Sequence, residues 1–107
     1  MKVLLTLLMM VGSIWFTSAQ EADPLRARGR RIAIEHCSAC HAVGQTGSSP
    51  RREAPAFRSL SERLELDELE DRMRGGLSSD HPAMPTFRFT RQQARELVAY
   101  LRSIQPQ

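Results

Sequence analysis

The sequence predicts an all-α fold, a bundle of three to five short helices. Three observations lead there. Apolar residues recur at three- and four-residue intervals on segments that open with helix-capping residues, no segment past residue 20 alternates apolar with polar positions, and no two-residue hairpin turn is present. A length of 107 residues leaves room for one small domain. It excludes a repeat array, a β-barrel or a large enzyme with its own substrate cavity.

Residues 1–19 read as an export signal. Lys2 supplies the charge, residues 3–16 form an apolar run broken by Thr6, Gly12 and Ser13, and Thr17-Ser18-Ala19 offers small residues for cleavage near Ala19. The run is shorter than the roughly 20 apolar residues that span a bilayer, and no second one follows, so no permanent membrane span is expected. The mature domain is then 20–107, with a periplasmic location. Its net charge of +2 is too small to point to nucleic acid. Only 16 of these 88 residues are Leu, Ile, Val or Phe, which is 18%. Chains below about 20% tend to be disordered when their net charge is high. Here the charge is low and the apolar residues are phased for helices, so the domain looks foldable but short of core. Something apolar supplied from outside would complete it.

The first helix is predicted over residues 24–40. Asp23-Pro24 is a helix start: the carboxylate accepts from free N–H groups, and Pro sits where its missing donor costs nothing. Leu25, Gly29, Ile32, Ala33 and His36 share one face, while Arg26, Arg30 and Arg31 lie opposite. A mid-helix glycine costs about 0.5–1 kcal/mol relative to Ala, so Gly29 implies close approach by another element. Residues 44–55, with three Ser/Thr, two Gly and two Pro, read as loop. Ser59 with Glu62 and Asp67 with Glu70 offer capping boxes for two short helices or one bent one, ended by Gly75-Gly76. Residues 76–89 are irregular, with Pro82 and Pro85 around Ala83-Met84. The last helix restarts at Thr90-Arg91-Gln92-Gln93, buries Ala94, Leu97, Val98, Leu101 and Ile104, and closes at Pro106.

The stretch Cys37-Ser38-Ala39-Cys40-His41 carries the chemistry. Two thiols separated by two residues at a helix end can bond to the two vinyl groups of one haem, leaving the adjoining imidazole beneath the iron. A dithiol redox motif would require a strand-helix-strand setting, and a zinc site would require a second ligand pair; neither is present. A plain disulfide between cysteines so close would close almost no loop.

At these residues the chain resembles the small, soluble, single-haem c-type cytochromes of the mitochondrial-like group and the short exported versions found in bacteria. Gly29, eight residues before Cys37, matches the family's helix-crossing glycine, and Leu97 with Tyr100 match its C-terminal Leu-x-x-aromatic pair. One position departs: four residues before the first cysteine the family has an aromatic, and here stands Ala33. The resemblance implies helices packed around one haem c, bound through Cys37 and Cys40, with iron ligands His41 and Met84. Met84 lies in the proline-flanked loop that the family's ligand methionine occupies. His81 is its rival, while Met73 reads as core. Pro55 resembles the proline whose carbonyl accepts from the ring N–H of the axial histidine; its alternative is an ordinary loop proline. His36 reads as structural, Tyr100 as packing, and Arg58 as a candidate partner for a haem propionate.

The function so implied is a monomeric one-electron carrier, not an enzyme. It would pass electrons between a donor dehydrogenase or quinol-oxidising complex and an acceptor oxidase or reductase. Two other classes stay open at this point: a haem enzyme or gas sensor with an open iron, and a non-haem disulfide-bonded binding module. Arginines crowd the first helix and carboxylates the middle segment, a pattern read as two solvated faces; the sharper reading is a charge dipole that orients encounter.

Overall fold

The computed structural model describes residues 22–107. The order of elements there is α1 (Ala22–Cys37), a 3-10 helix (Phe57–Glu62), α2 (Leu66–Gly75) and α3 (Arg91–Ile104). The all-α expectation holds. The only β feature among the described residues is an isolated bridge between Leu77 and Phe87. Residues 1–19, read as an export signal, and the side-chain cap expected of Asp23 lie outside the described part.

α1 begins at Ala22, ahead of Pro24, and stops at Cys37 rather than at residue 40. It stops there because the next residues fold into a turn. The N–H groups of Cys40 and His41 both donate to the Cys37 carbonyl, at 3.2 and 2.9 Å. α1 packs chiefly on α3, and Gly29 is where they meet. A Cβ at this position would lie 1.9 Å from the Glu96 carbonyl oxygen and 2.8 Å from the Tyr100 Cβ, well inside contact distance. Ala33, at the departing position one turn on, is wholly buried in the core. Glu96 is itself buried, with its carboxylate accepting from Gln92 Nε2 at 2.9 Å and 3.6 Å from the Arg28 guanidinium. Burial of that charge is tolerable because it is partnered.

Two of the three expected capping boxes are not formed. The middle segment opens as a 3-10 helix at Phe57 with Ala56 as its cap, so Ser59 lies inside it and its hydroxyl donates to the Ala56 carbonyl at 3.1 Å. α2 begins at Leu66 with Glu65 as a cap that makes no side-chain bond. Asp67 stands in its first turn, where a carboxylate suits the helix dipole, and pairs with Arg102 of α3. A nearby backbone carbonyl takes the Ser59 hydroxyl, and a tertiary partner, Arg102, takes the Asp67 carboxylate. The third box forms as read: Thr90 Oγ1 accepts from Gln93 N–H at 3.1 Å and Gln93 Oε1 accepts from Thr90 N–H at 3.0 Å. Gly76 ends α2 at φ 120°, a conformation open to glycine.

The core gathers Ile32 and Ala33 of α1, Phe57, Leu66, Leu69 and Met73 of the middle segment, Phe89, and the α3 stripe Ala94, Leu97, Val98, Leu101 and Ile104. Met73 is 1% exposed, the core residue expected of it.

Gly29→Ala adds a methyl group where backbone already stands, which outweighs the helix propensity that Ala would add. The expected net loss is about 2 kcal/mol. Gly75→Ala, which meets nothing within 4 Å, should be neutral or mildly stabilising. Urea midpoints of the two purified variants compare them, and equal midpoints would show that the crossing can relax.

Candidate functional site

The turn after α1 presents Cys37, Cys40 and His41 to one cavity of about 610 Å³. Loop bonds hold the turn in place: Arg51 N–H donates to the Cys40 carbonyl at 3.1 Å, and Ala42 N–H donates to Ser49 Oγ at 3.0 Å. Residues 55–57 run beside it. Phe57 N–H donates to the Ala42 carbonyl at 2.9 Å, and the Phe57 ring lies 5.0 Å from that of His41, centroid to centroid. His41 Nδ1 is 2.7 Å from the Pro55 carbonyl oxygen. A carbonyl only accepts, so the proton of a neutral imidazole sits on Nδ1 and the lone pair of Nε2 is left available.

The far wall comes from the loop between α2 and α3. Leu77 and Phe87 exchange two backbone bonds, at 2.6 and 2.9 Å, and close the loop at its neck. Phe89 N–H donates to the Met73 carbonyl at 3.0 Å, fastening the loop to α2. Inside the loop Met84, half-buried, lines the same cavity as His41. His81 lines it as well, but is exposed, and its Nδ1 accepts from Ala83 N–H at 3.2 Å. That bond leaves the proton of a neutral His81 on Nε2, where a ligand needs a lone pair.

All five sequence-predicted site residues, Cys37, Cys40, His41, Pro55 and Met84, thus border one space. The remaining wall is mostly apolar, with Leu60, Leu64, Leu69, Met73, Leu97 and Leu101 among its residues. His36 is exposed, yet packs edge-on against Phe87 and Phe89 at centroid distances of 6.0 and 6.1 Å. Arg58 is misplaced by the sequence reading. It donates to the Gly47 carbonyl at 2.8 Å and lies outside the cavity wall, in which Arg51 and Arg72 stand instead. The sequence reading also missed Phe57, whose position two residues after Pro55 was the only hint. Burial pushes the Cys37 thiol up to about 11, the reverse of the low value that a dithiol redox motif exploits.

The sequence profile of the cytochrome c family matches residues 26–105. The chain belongs to the cytochrome c family. It is similar to cytochrome c-552 of Bradyrhizobium diazoefficiens, 29% identical over 90 residues that cover 84% of this chain and 83% of the relative. No solved structure matches it. As a cytochrome c it carries covalently bound haem c with its iron and acts as an electron carrier. The residues fit that group. Two thiols at attachment spacing, an imidazole with one nitrogen already tied back and a thioether border a cavity whose walls are otherwise chiefly hydrocarbon. Among the described residues no helix is long and apolar enough to cross a membrane.

Tyr100 supports the attachment turn from α3. Its phenol donates to the Val43 carbonyl at 2.5 Å, and burial raises its pKa above the ordinary 10.0, with Arg30 pulling the other way. A folded-state pKa above the unfolded one means a contribution to stability that is complete below about pH 10 and lost as pH rises through the raised value. Tyr100 is the chain's one tyrosine, so phenolate absorbance titrates it alone; its midpoint should lie above that of the unfolded chain. Tyr100→Phe should cost about 1 kcal/mol at neutral pH and flatten the alkaline loss of stability. An unshifted midpoint would show that the phenol is not held in a buried setting, and an unchanged stability of the variant would remove the assigned role of the bond.

Proposed function

We propose that this cytochrome c is an exported, periplasmic, monomeric carrier of single electrons, with a low-spin haem c attached through Cys37 and Cys40 and axial ligands His41 and Met84. When bound, haem c supplies an iron that takes up and releases one electron. The observation that carries the reading is that His41, already fixed through Nδ1 to the Pro55 carbonyl, shares one cavity with the half-buried Met84. His81 is the weaker candidate because its Nδ1 is occupied by Ala83 N–H.

Each residue then has a physical task. Cys37 and Cys40, at the two ends of one turn, anchor the group and give His41 little freedom of partner. Pro55 accepts from the His41 ring, fixing its tautomer and making it a stronger donor. Met84 contributes a soft sulfur, which favours the ferrous state and raises the potential relative to a second imidazole. With His41 and Met84 as the two protein ligands, the iron of a bound haem would be left to transfer electrons and not to bind substrate or oxygen. Arg51 and Arg72, the arginines of the cavity wall, would pair with the haem carboxylates in place of Arg58. The export reading rests on residues 1–19. The partners are redox proteins: a donor dehydrogenase or quinol-oxidising complex and an acceptor oxidase or reductase.

Met84→Ala should lower the reduction potential, abolish the weak red-end absorption band of the ferric protein that reports iron–sulfur ligation, and let carbon monoxide bind the ferrous form. A ferric spectrum identical to that of the parent would exclude Met84 as a ligand. Pyridine haemochrome analysis of the purified protein should show covalently attached haem, and a colourless, correctly matured protein would end the assignment.

A further inference from the structure

Gln105 follows the last turn of α3, and every hydrogen-bonding atom of its side chain is engaged with backbone. Oε1 accepts from Ser61 N–H at 2.9 Å, while Nε2 donates to the Phe57 carbonyl at 2.6 Å and to the Leu101 carbonyl at 2.9 Å. The amide cannot be turned round, since both carbonyls only accept and the backbone N–H only donates. One side chain therefore clamps the 3-10 helix at its first residue, Phe57, and near its last, Ser61, to the end of α3. No other residue type of that length offers two donors and an acceptor. Alanine offers none, and glutamate keeps the acceptor only.

The clamped segment is the one that touches the imidazole. Phe57 is bonded through its N–H to the Ala42 carbonyl and packs against the His41 ring, and Pro55, two residues earlier, accepts from His41 Nδ1 at 2.7 Å. We propose that Gln105 is a positioning residue for the His41 imidazole. It holds residues 55–57 where the Pro55 carbonyl meets the ring N–H, and so sets how strongly that bond polarises the ring. This rests on the reading of His41 as an axial ligand. Relaxing the clamp lets the carbonyl drift, weakens the bond and makes the imidazole a poorer donor, so the ferrous state gains.

The test uses the ferric, haem-loaded protein and the paramagnetically shifted proton resonance of His41 Nδ1–H. In Gln105→Ala, which loses all three bonds of the amide, that proton should exchange with deuterated solvent at least about tenfold faster, tenfold being roughly the effect of a single lost hydrogen bond on a local opening. The reduction potential should rise. Gln105→Glu, which keeps the acceptor for Ser61 N–H and loses both donors, should move exchange and potential in the same directions, and serves alone if the alanine variant does not mature. Shifted His41 signals whose exchange and potential match the parent in these variants, with only a lower unfolding midpoint, would reduce Gln105 to a structural tie and overturn the proposal. Absence of any shifted His41 resonance from the parent protein would instead bring down the ligand reading, and this proposal with it.

Discussion

At Gly29 the space that any other residue would fill with a Cβ is occupied by the carbonyl of Glu96. This backbone approach sets the separation of α1 and α3, and both helices hold or line parts of the site. α1 ends in Cys37, and the turn beyond it brings Cys40 and His41 round to the cavity. α3 gives Leu97 and Leu101 to the cavity wall and the Tyr100 phenol to the Val43 carbonyl, and Gln105, just past its end, gives its amide to the 3-10 helix. A wider crossing would draw the attachment turn away from the supports that α3 provides. The alanine at position 33, one turn on from Gly29, is completely buried in the core.

A domain with so few large aliphatic residues cannot close a core of its own easily, because the area removed from water scales with the apolar surface available to bury. The leucines of the middle segment and of α3 turn toward a shared cavity as well as toward one another. An apolar macrocycle bound there removes those side chains from water, and a low-dielectric surround disfavours the extra positive charge of ferric iron. Folding and redox tuning thus draw on the same burial. Two ring nitrogens at the cavity are already committed, His41 Nδ1 to the Pro55 carbonyl and His81 Nδ1 to the Ala83 N–H.

The charge pattern is only partly the pair of solvated faces that composition suggests. Arg102 of α3 pairs with Asp67, Arg74 with Asp71 and Arg28 with the buried Glu96, so several opposite charges answer one another within the molecule. Exposed pairs of this kind contribute little to stability, but they leave less of the acidic segment to act as a long-range field.

The attachment motif, the crossing glycine, the α3 stripe and the proline-flanked loop of Met84 were legible in the residues themselves, because each is a short-range pattern: a spacing, a period or a cap within one or two turns. The same reasoning failed at Ser59 and Asp67, whose local capping motifs are real but lose to the Ala56 carbonyl and to Arg102. It failed at Arg58 too, since nothing along the chain says which arginine faces the cavity. The sequence alone therefore determined the helical class, the cofactor chemistry and five of the residues that border the site, Cys37, Cys40, His41, Pro55 and Met84. Only the tertiary structure decided which further groups hold those residues in place, namely Phe57, Tyr100 and Gln105. Such contacts join positions up to 57 residues apart, and a hydrogen bond over that distance leaves no periodic trace in the chain.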